Sequence, residues 1–482
     1  MAGGVAQPVF MRRLAVINIV GLTRRLIGPH TPCIDRFART GSIAVVRPAF
    51  PAVTCTAQSN YLTGVPPASH GIVGNGWYDR ELAEVHFWKQ SERLVQAPAF
   101  WERLRRQEPG FTCAKLFWWF NMGSTADYSI TPRPMYPADG RKIFDIYTWP
   151  YSMRREIKAD LGEFPFVTFR GQAAGMDTPR GSADAASRWI AEAAKWIERR
   201  YRPTLSLIYL PHLDYALQRL GPDHANLGRD LGRIDAIVGD LIDTFTARSV
   251  RVLLLSEYGI VPVSKPIHLN RLFRERGWLT IKEELGLELV DFGASRAFAV
   301  ADHQVAHVYI RDRAIETAVR RSVEATDGVA AVLDEPARRS AGINHPRSGD
   351  LIAVARSGAW FTYYYWLDDR RAPDFARTVD IHRKPGYDPV ELFLDRQRPW
   401  IDGRLMWRLL QKRLGFRCLM DVIPLDAMLV RGSHGASPDD VLDYPLLMAG
   451  DHGLSCGSEI DSIQVCHTLS QALAAPNSNQ VR

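Results

Sequence analysis

The segment from residue 50 to residue 79 combines residue types that could act on a phosphate ester. It reads FPAVTCTAQSNYLTGVPPASHGIVGNGWYD. The hydroxyl of Thr54 is a weak nucleophile at neutral pH and becomes reactive only beside a metal ion or a base. The amide of Asn75 could donate to a phosphate oxygen on which charge develops, and Gly74 would let the backbone turn tightly around that oxygen. Thr54 and Asn75 are therefore candidate catalytic residues and Gly74 a candidate substrate-binding residue, although a single Thr in a loop is rarely a nucleophile.

The spacing of these residues distinguishes the segment from an ordinary surface loop rich in Thr, Ser, Gly and Pro. In the type I phosphodiesterase/nucleotide pyrophosphatase family of the alkaline phosphatase superfamily, a threonine precedes a Thr-Gly pair, a Pro-x-x-His-Gly motif and an Asn ahead of an aromatic-Asp ending. The chain resembles this family at the same offsets, with Thr54, Thr63-Gly64, Pro67, His70-Gly71, Asn75 and Tyr78-Asp79. The resemblance implies hydrolysis of phosphodiester or pyrophosphate bonds in a small phosphorylated metabolite or nucleotide.

The same resemblance implies a divalent metal centre, usually of two zinc ions, on either side of the nucleophile. One ion is held in the family by an Asp-x-x-x-His motif and a late His. Here Asp214 stands at the Asp position, and Gln218 replaces the His. A glutamine oxygen can bind a hard cation but is a poor zinc ligand. Asp214 and Gln218 are therefore predicted metal ligands, and the nearby His212 and His224 are alternatives to Gln218. His303 and His307, in ADHQVAH, could replace a lost ligand from elsewhere in the chain, although packing beside a strand is the favoured interpretation.

The second ion is held in the family by an early Asp and an Asp-His pair in Ser-Asp-His-Gly. That pair appears here as Glu257 and Tyr258, and the early Asp is replaced by Val20. Glu257 keeps a carboxylate and is a predicted ligand, whereas the phenol of Tyr258 rarely binds zinc and is predicted to contact substrate. Asn18 lies on the same strand face as Val20 and could point toward the site. This half of the centre is weakened, so a single ion, or Mn²⁺ or Mg²⁺ instead of Zn²⁺, is also expected.

The late His has two candidates. His434, in VRGSHG, resembles the closing motif of phosphonoacetate hydrolases and related members. His382, in DIHRKPGYDPVELF, lies three residues before Pro385, where nucleotide pyrophosphatases have the His of a His-Gly-Tyr-Asp motif. We favour His434, because its His-Gly pair is intact after an apolar run. The pair Asp451-His452 comes too late in the chain and is interpreted as coincidence.

Three hypotheses on function follow from these substitutions. The first is a metal-dependent phosphodiesterase or pyrophosphatase that uses Thr54. The second is a phosphonate hydrolase, which cleaves a carbon-phosphorus bond on the same scaffold. The third is a non-catalytic member that binds a phosphorylated ligand or a partner protein, since a fold does not fix a function.

The fold must place these residues together from distant parts of the chain. Continuous apolar runs, LAVINIVGL, LSLIYLPHLD and VRVLLLSEYGI, predict buried strands of a largely parallel sheet. Residues 185–199 and 226–244 have apolar residues at helical spacing, so we predict an α/β fold, a three-layer αβα sandwich like that of alkaline phosphatase. We place a small α+β cap at residues 290–375, the core at residues 1–289 and 376–455, and a flexible tail at residues 456–482.

Composition limits the partners of the protein. The net charge of +7 comes from dispersed basic residues, which favours a small anionic substrate over a nucleic acid polymer. No apolar run reaches the ~20 residues that span a bilayer, so no membrane partner is expected. The six cysteines form no CxxC pair or disulfide framework, and with the absence of a cleavable leader they predict a cytoplasmic protein. The oligomeric state is left open.

Overall fold

The computed structural model describes residues 11–171, 176–177, 182–450 and 457–474. Its strands, in chain order, are β1 (Leu14–Ile19), β2 (Ser42–Arg47), β3 (Gly76–Asp79), β4 (Glu84–Phe87), β5 (Cys113–Leu116), β6 (Tyr128–Pro132), β7 (Ile146–Trp149), β8 (Leu205–Leu210), β9 (Arg251–Leu255), β10 (Val261–Ile267), β11 (Thr280–Glu284), β12 (Leu287–Asp291), β13 (Ala297–Asp302), β14 (Val305–Ile310), β15 (Val329–Leu333), β16 (Leu351–Ala355), β17 (Gly358–Phe361), β18 (Gly432–Ser433), β19 (Leu446–Ala449) and β20 (Glu459–Asp461). Its α-helices are α1 (Pro32–Thr40), α2 (Thr54–Thr63), α3 (Pro67–His70), α4 (Phe100–Gln107), α5 (Ser152–Leu161), α6 (Phe166–Phe169), α7 (Ala185–Tyr201), α8 (His212–Leu220), α9 (Leu227–Thr246), α10 (Leu269–Glu275), α11 (Glu316–Glu324), α12 (Glu335–Ser340), α13 (Ile401–Arg413) and α14 (Val465–Ala474).

The central sheet of the described residues has nine strands in the order β20-β2-β19-β9-β1-β8-β5-β6-β7. The three predicted apolar strands, β1, β8 and β9, lie side by side and parallel at its centre. Every residue of β1 and β8 is buried, because a strand covered by helices on both faces needs apolar side chains in both directions. Only β19 and β7 run antiparallel to their neighbours. The predicted, largely parallel sheet is confirmed.

Helices cover both faces of this sheet and complete the predicted three layers. Helices α1, α7, α8 and α9 pack together in one layer, and α2, α4 and α14 pack together in the other. The two predicted helices correspond to α7 and α9, whose apolar stripes are buried and include Trp189 and Trp196. Helix α2 differs, because residues 54–62 are buried all around the helix.

A second hydrophobic core lies in the later part of the chain, where the α+β cap was predicted. Its sheet has the order β13-β14-β16-β15 and is entirely antiparallel, and α11 packs on β15. The turn between β13 and β14, at His303 and Gln304, reaches the end of the central sheet, where the Gln304 backbone N–H donates to the carbonyl of His434 at 2.8 Å. The cap boundaries at residues 290 and 375 stay a prediction.

The C-terminal segment is ordered where a flexible tail was predicted, so that prediction is wrong for residues 457–474. Strand β20 pairs in parallel with β2. Helix α14 packs against α2 and buries Val465, Leu469 and Leu473. These residues recur at helical spacing, a signal that the sequence analysis overlooked. Residues 475–482, and the Asp451-His452 pair, lie outside the described residues.

None of the helices in the described ranges combines the length and the apolar character that a membrane crossing requires.

Candidate functional site

A small cavity lies at the carboxyl ends of β1, β8 and β9, the edge at which open α/β sheets bind their ligands. Its volume is about 40 Å³, room for a few water molecules. The lining residues come from the core, from the cap turn and from the segment before β18: Thr54, Trp88, Trp119, Phe169, Arg170, Gly171, Tyr209, Asp214, Tyr215, Gln218, Tyr258, His303, Tyr387, Asp388, Glu391, Leu392 and His434.

Thr54 is the first residue of α2 and lies at the helix N-terminus, where Val53 is the extended N-cap residue. The unpaired N–H groups and the dipole of a helix favour negative charge at this end. Only 3% of Thr54 is exposed. The sequence thus places a hydroxyl and a positive helix end at the same point of the cavity, which suits a phosphoryl group.

A chain of hydroxyl groups connects Thr54 to a carboxylate. Tyr258 Oη donates to Asp214 Oδ1 at 3.2 Å. Thr54 Oγ1 lies 3.2 Å from the same Tyr258 Oη. Because the phenol hydrogen points to Asp214, the phenol oxygen is left to accept from the threonine. Tyr258 therefore provides a path for a proton from Thr54 to Asp214, in the space between them.

Asp214 and Gln218 face the cavity from adjacent turns of α8. Gln218 Nε2 donates to Asp214 Oδ2 at 2.7 Å, and Tyr387 Oη donates to Gln218 Oε1 at 3.1 Å. The oxygen of Gln218, the atom that could bind a cation, is thus already an acceptor. Burial raises the pKa of Asp214 to about 7, against the effect of the hydrogen bonds from Tyr258 and Gln218.

Glu257 lies beneath the cavity and is fully buried. Its Oε1 accepts from Asn18 Nδ2 and from Gln58 Nε2, both at 2.6 Å, while Oε2 has no hydrogen-bond partner among the described residues. Burial raises the pKa of Glu257 to about 8. Asn18, the weak candidate of the sequence analysis, does point to this region, whereas Val20 is buried and apolar.

Four aromatic rings form a continuous stack along one wall. Tyr258 stacks on His434 at 3.6 Å between ring centroids, His434 packs on His303 at 3.7 Å, and His303 on Tyr387 at 3.8 Å. His434 Nδ1 donates to the carbonyl of Ala52 at 2.7 Å, so its Nε2 is the unprotonated nitrogen. That Nε2 lies 4.0 Å from Asp214 Oδ1. Burial lowers the pKa of His434 to about 3, so the stack is neutral.

Asn75 holds the nucleophile segment against the cap. Its Oδ1 accepts from the backbone N–H of Cys55 at 3.1 Å, and its Nδ2 and backbone N–H donate to Asp302 at 3.0 and 2.7 Å. A side chain at Gly74 would meet Asp302 Oδ2 at 3.1 Å, so glycine permits the close approach. Neither Asn75 nor Gly74 lines the cavity. Their roles toward substrate stay a prediction, and the structure gives them a positioning role.

The other predicted histidines lie outside the cavity. His382 Nδ1 contacts the carbonyl of Phe87 at 3.2 Å. His212 Nε2 lies 2.9 Å from Asp230 Oδ1, and His224 is exposed. His307 is a strand residue that bonds through both ring nitrogens to the backbone. Of the two late-His candidates, the structure thus brings His434, and not His382, to Asp214.

These residues do not fit a two-metal centre. Among the described residues around Asp214, Gln218 Oε1 is already bound, and the nearest imidazole nitrogen without a partner, His434 Nε2, lies 4.0 Å from Asp214 Oδ1. Around Glu257, Val20 and Tyr258 offer neither a carboxylate nor an imidazole. Zinc sites use at least three protein ligands. Across the described residues, no three His, Cys, Asp or Glu side chains are arranged to hold a metal ion.

Arg170 supplies a positive charge that sequence reasoning missed. Its guanidinium lies 4.6 Å from the ring centroid of Trp88 and 5.6 Å from that of Tyr387, a cation-π geometry. Its Nε is 3.6 Å from Glu391 Oε2. Its charge lowers the pKa of Asp214 and of Asp302 against the larger effect of burial. No motif surrounds Arg170 in the sequence, whereas Tyr387 lies within the His382 motif and could have been found there.

Comparison with protein families gives one match. The profile of the family described as type I phosphodiesterase/nucleotide pyrophosphatase matches residues 14–388. Among curated proteins, an uncharacterized pyrophosphatase/phosphodiesterase of Schizosaccharomyces pombe is 25% identical over 278 residues, 55% of this chain and 48% of that protein. Human ectonucleotide pyrophosphatase/phosphodiesterase family member 1 is 23% identical over 257 residues, 51% of this chain and 23% of that protein. The matched part thus spans less than half the length of these relatives.

Solved structures with the same fold cover almost the whole chain. Mouse ectonucleotide pyrophosphatase/phosphodiesterase 5, in an inactive form bound to AMP, has a TM-score of 0.56 at 14% identity, covering 96% of each chain. Phosphonoacetate hydrolase from Sinorhizobium meliloti with phosphonoformate has a TM-score of 0.59 at 14% identity, covering 97% of each chain. At these identities the similarity shows a shared fold.

Proposed function

The chain belongs to the type I phosphodiesterase/nucleotide pyrophosphatase family, and on that premise we propose that it hydrolyses phosphodiester or pyrophosphate bonds in a small phosphorylated metabolite or nucleotide, with Thr54 as nucleophile. The observation that supports this most strongly is the hydroxyl path from Thr54 through Tyr258 to Asp214. A threonine needs a base or a metal ion to react, and this path supplies a base. The inactive form of the mouse relative carries a threonine-to-alanine substitution, which agrees with a threonine-dependent reaction.

In the proposed reaction, Thr54 Oγ1 forms a bond to phosphorus as the bond to the leaving oxygen breaks. The threonine proton moves to Tyr258 as the phenol proton moves to Asp214. The leaving group departs as a phosphate or takes a proton from water. Water then attacks the phosphorus of the covalent threonine-phosphoryl intermediate and gives one proton to the solvent. Thr54 Oγ1 leaves and takes back, through Tyr258, the proton held by Asp214, which restores the hydroxyl and the carboxylate. The helix N-terminus and the guanidinium of Arg170 stabilise the negative charge that develops on the phosphoryl oxygens.

The predicted metal dependence is not used in this mechanism, because the donors around Asp214 and Glu257 fall short of a two-metal centre. The sequence expectation of a divalent ion, Zn²⁺, Mn²⁺ or Mg²⁺, is tested together with the reaction. Turnover that persists in a chelator supports activation by Tyr258 and Asp214. Turnover that is lost in the chelator and restored by one of these ions supports a metal ion at the site.

Phosphonate hydrolysis is the second candidate function. The fold similarity to phosphonoacetate hydrolase and a cavity of only about 40 Å³ favour a small substrate, because a nucleotide requires several side chains to move. A screen with bis-p-nitrophenyl phosphate, p-nitrophenyl phosphate, AMP esters and phosphonoacetate compares the two functions directly. The non-catalytic hypothesis predicts ligand binding without turnover in the same screen.

The decisive experiment compares Thr54→Ala with Thr63→Ala, a matched change at the other end of the same helix. We expect Thr54→Ala to reduce kcat by at least about 1,000-fold, since it removes the nucleophile rather than one contributing contact. Thr63→Ala should keep most of the activity. Equal activity of the two variants would contradict the proposal.

A further inference from the structure

Helix α13 lies on the surface with almost no buried residue. Of residues 401–413, only Ile401 is buried. Large apolar side chains are instead exposed along and beside it, with relative exposures of 89% for Trp400, 72% for Met406, 58% for Trp407, 45% for Leu410, 64% for Leu414 and 64% for Phe416. Single exposed apolar residues are ordinary, but a contiguous group marks an interaction site.

The spacing of these residues puts them on one side of the helix. Trp407, Leu410 and Leu414 are three and four residues apart, and Met406 is adjacent on the same side. Leu405 and Leu409, by contrast, are half-buried and turn to the rest of the protein. The helix therefore has one apolar side against the protein and a second apolar side that faces solvent. We call Trp400, Met406, Trp407, Leu410, Leu414 and Phe416 the α13 apolar patch.

Basic residues flank this patch. Residues 401–421 contain five cations, Arg404, Arg408, Lys412, Arg413 and Arg417, and two carboxylates, Asp402 and Asp421. Asp421 forms ion pairs with Arg404 and Arg408, and Asp402 pairs with Arg396. Lys412, Arg413 and Arg417 add positive charge toward the C-terminal end of the helix. The patch is thus apolar at its centre and cationic at its edge.

The charge determines which partner fits. In a symmetric dimer of this chain the patch would meet itself, and its cations would face each other. A nucleic acid would suit the cations but would leave the leucines and Met406 without apolar contacts. An anionic lipid surface satisfies both, because acyl chains receive the apolar side chains and head groups receive the cations. The helix, at ~1.5 Å per residue, is too short to span a bilayer and can lie in its surface.

We propose that α13 is a docking site for an anionic membrane surface. The sequence analysis expected no membrane partner because no apolar run is long enough to cross a bilayer, but a helix that lies in the interface needs no such run. The proposal is independent of the catalytic function, since none of the patch residues lines the cavity.

Vesicle co-sedimentation of the full chain tests this proposal. The probes are vesicles of phosphatidylcholine alone and of phosphatidylcholine with one third phosphatidylserine. The wild type should bind the anionic vesicles, and the double variant Trp407→Glu/Leu410→Glu should lose that binding. Leu285→Glu, a matched change at a fully exposed leucine in the β11–β12 turn, should bind as the wild type does. The double variant should keep its thermal midpoint, because the residues it changes are exposed.

A second pair of changes separates charge from apolar contact. Removing Arg413 and Arg417 as Arg413→Gln/Arg417→Gln should weaken binding to the anionic vesicles about fivefold for each cation, the ratio expected from ~1 kcal/mol per basic residue near such a surface. Absence of wild-type binding, or unchanged binding of the Trp407→Glu/Leu410→Glu variant, would overturn the proposal. So would light scattering that shows a dimer which this variant dissociates, or binding of a short RNA that displaces the vesicles and does not need Trp407.

Discussion

At the scale of single residues, Tyr258 is the substitution that changes the chemistry of the site. The family motif that the sequence resembles, Ser-Asp-His-Gly, has a histidine at the position of Tyr258, and that resemblance implies a metal ligand there. The phenol instead fills the space between the nucleophile and the carboxylate and bonds to both within 3.2 Å. Burial raises the pKa of Tyr258 well above its usual range, so the phenol stays protonated, as the proposed transfer of a proton through it requires.

Removal of the Tyr258 hydroxyl tests this role. Tyr258→Phe keeps the ring on His434 but interrupts the path from Thr54 to Asp214, and we expect kcat to fall by about 100-fold or more, the lower range for general base catalysis. Tyr61→Phe is the matched control, since it removes another buried hydroxyl, which donates to the carbonyl of Ser256 at 2.9 Å. Both variants should lose a similar stability of ~1 kcal/mol. A kcat for Tyr258→Phe equal to that of Tyr61→Phe would exclude the hydroxyl path.

The sequence named five of the seventeen residues that line the cavity, and Glu257 beside it. Thr54, Asp214, Gln218, Glu257, Tyr258 and His434 were predicted from motif positions, and all of them meet at the ends of the central strands. Arg170 and Tyr387 were not assigned to the site, and His303 was named only as an alternative to a lost ligand. Arg170 lies in a segment without a motif. His303 reaches the cavity only through the tertiary position of a cap turn, which no local pattern records.

At the scale of elements, the strands of the core were predictable because burial on both faces leaves continuous apolar runs. Strand β5 is an exception that contains a lysine. Lys115 is buried, donates to the carbonyl of Phe120 at 2.8 Å and lies 5.8 Å from the ring centroid of Trp101. It lines a separate cavity of about 340 Å³ beside α2 and α4. A charge in such a strand lowers stability, which is why apolar-run reasoning does not predict it.

The pH dependence of stability provides a test at Lys115. Burial lowers the pKa of Lys115 from 10.5 to about 8. Between these values the unfolded chain binds the proton and the folded chain does not, so the contribution of Lys115 to stability rises with pH over that range. Lys115→Met removes this dependence. The difference in urea midpoint, Lys115→Met minus wild type, should therefore be most positive below pH 8. It should become smaller as the pH approaches 10.5.

Exposed lysines provide the control for this titration. Lys282→Met changes a lysine that is exposed on β11, and its stability relative to wild type should vary little over the same pH range. A flat difference between Lys115→Met and wild type across that range would contradict a lowered pKa for Lys115.

At the scale of the whole molecule, the cap and the core build the site together. The turn after β13 places His303 in the ring stack, and Asp302 fixes Asn75, which in turn holds the first turn of α2. The αβα core was predictable from continuous apolar runs, from helical spacing and from the family resemblance, and the cap boundaries stay a prediction. The hydrogen bonds between Asn75 and Asp302 join residues more than two hundred positions apart. A single sequence contains no signal for that pairing.

Because Asp302 holds Asn75 in place, we predict that this cap residue affects turnover although it lies outside the cavity. Asp302→Ala leaves two buried N–H donors of Asn75 without an acceptor, at a cost of ~1–3 kcal/mol each in the free energy of unfolding. It also frees Asn75, which accepts from the Cys55 N–H beside Thr54, so kcat should fall with a smaller change in KM.

Asp302→Asn retains one acceptor oxygen and should recover part of both losses. The matched control is Asp312→Ala, which removes an exposed ion pair with Arg296 and an N-cap hydrogen bond from Ala314 and should cost less stability than Asp302→Ala does. Urea unfolding and steady-state kinetics of the three variants provide the measurement. If Asp302→Ala behaves as Asp312→Ala does in both, the cap covers the site without positioning its nucleophile.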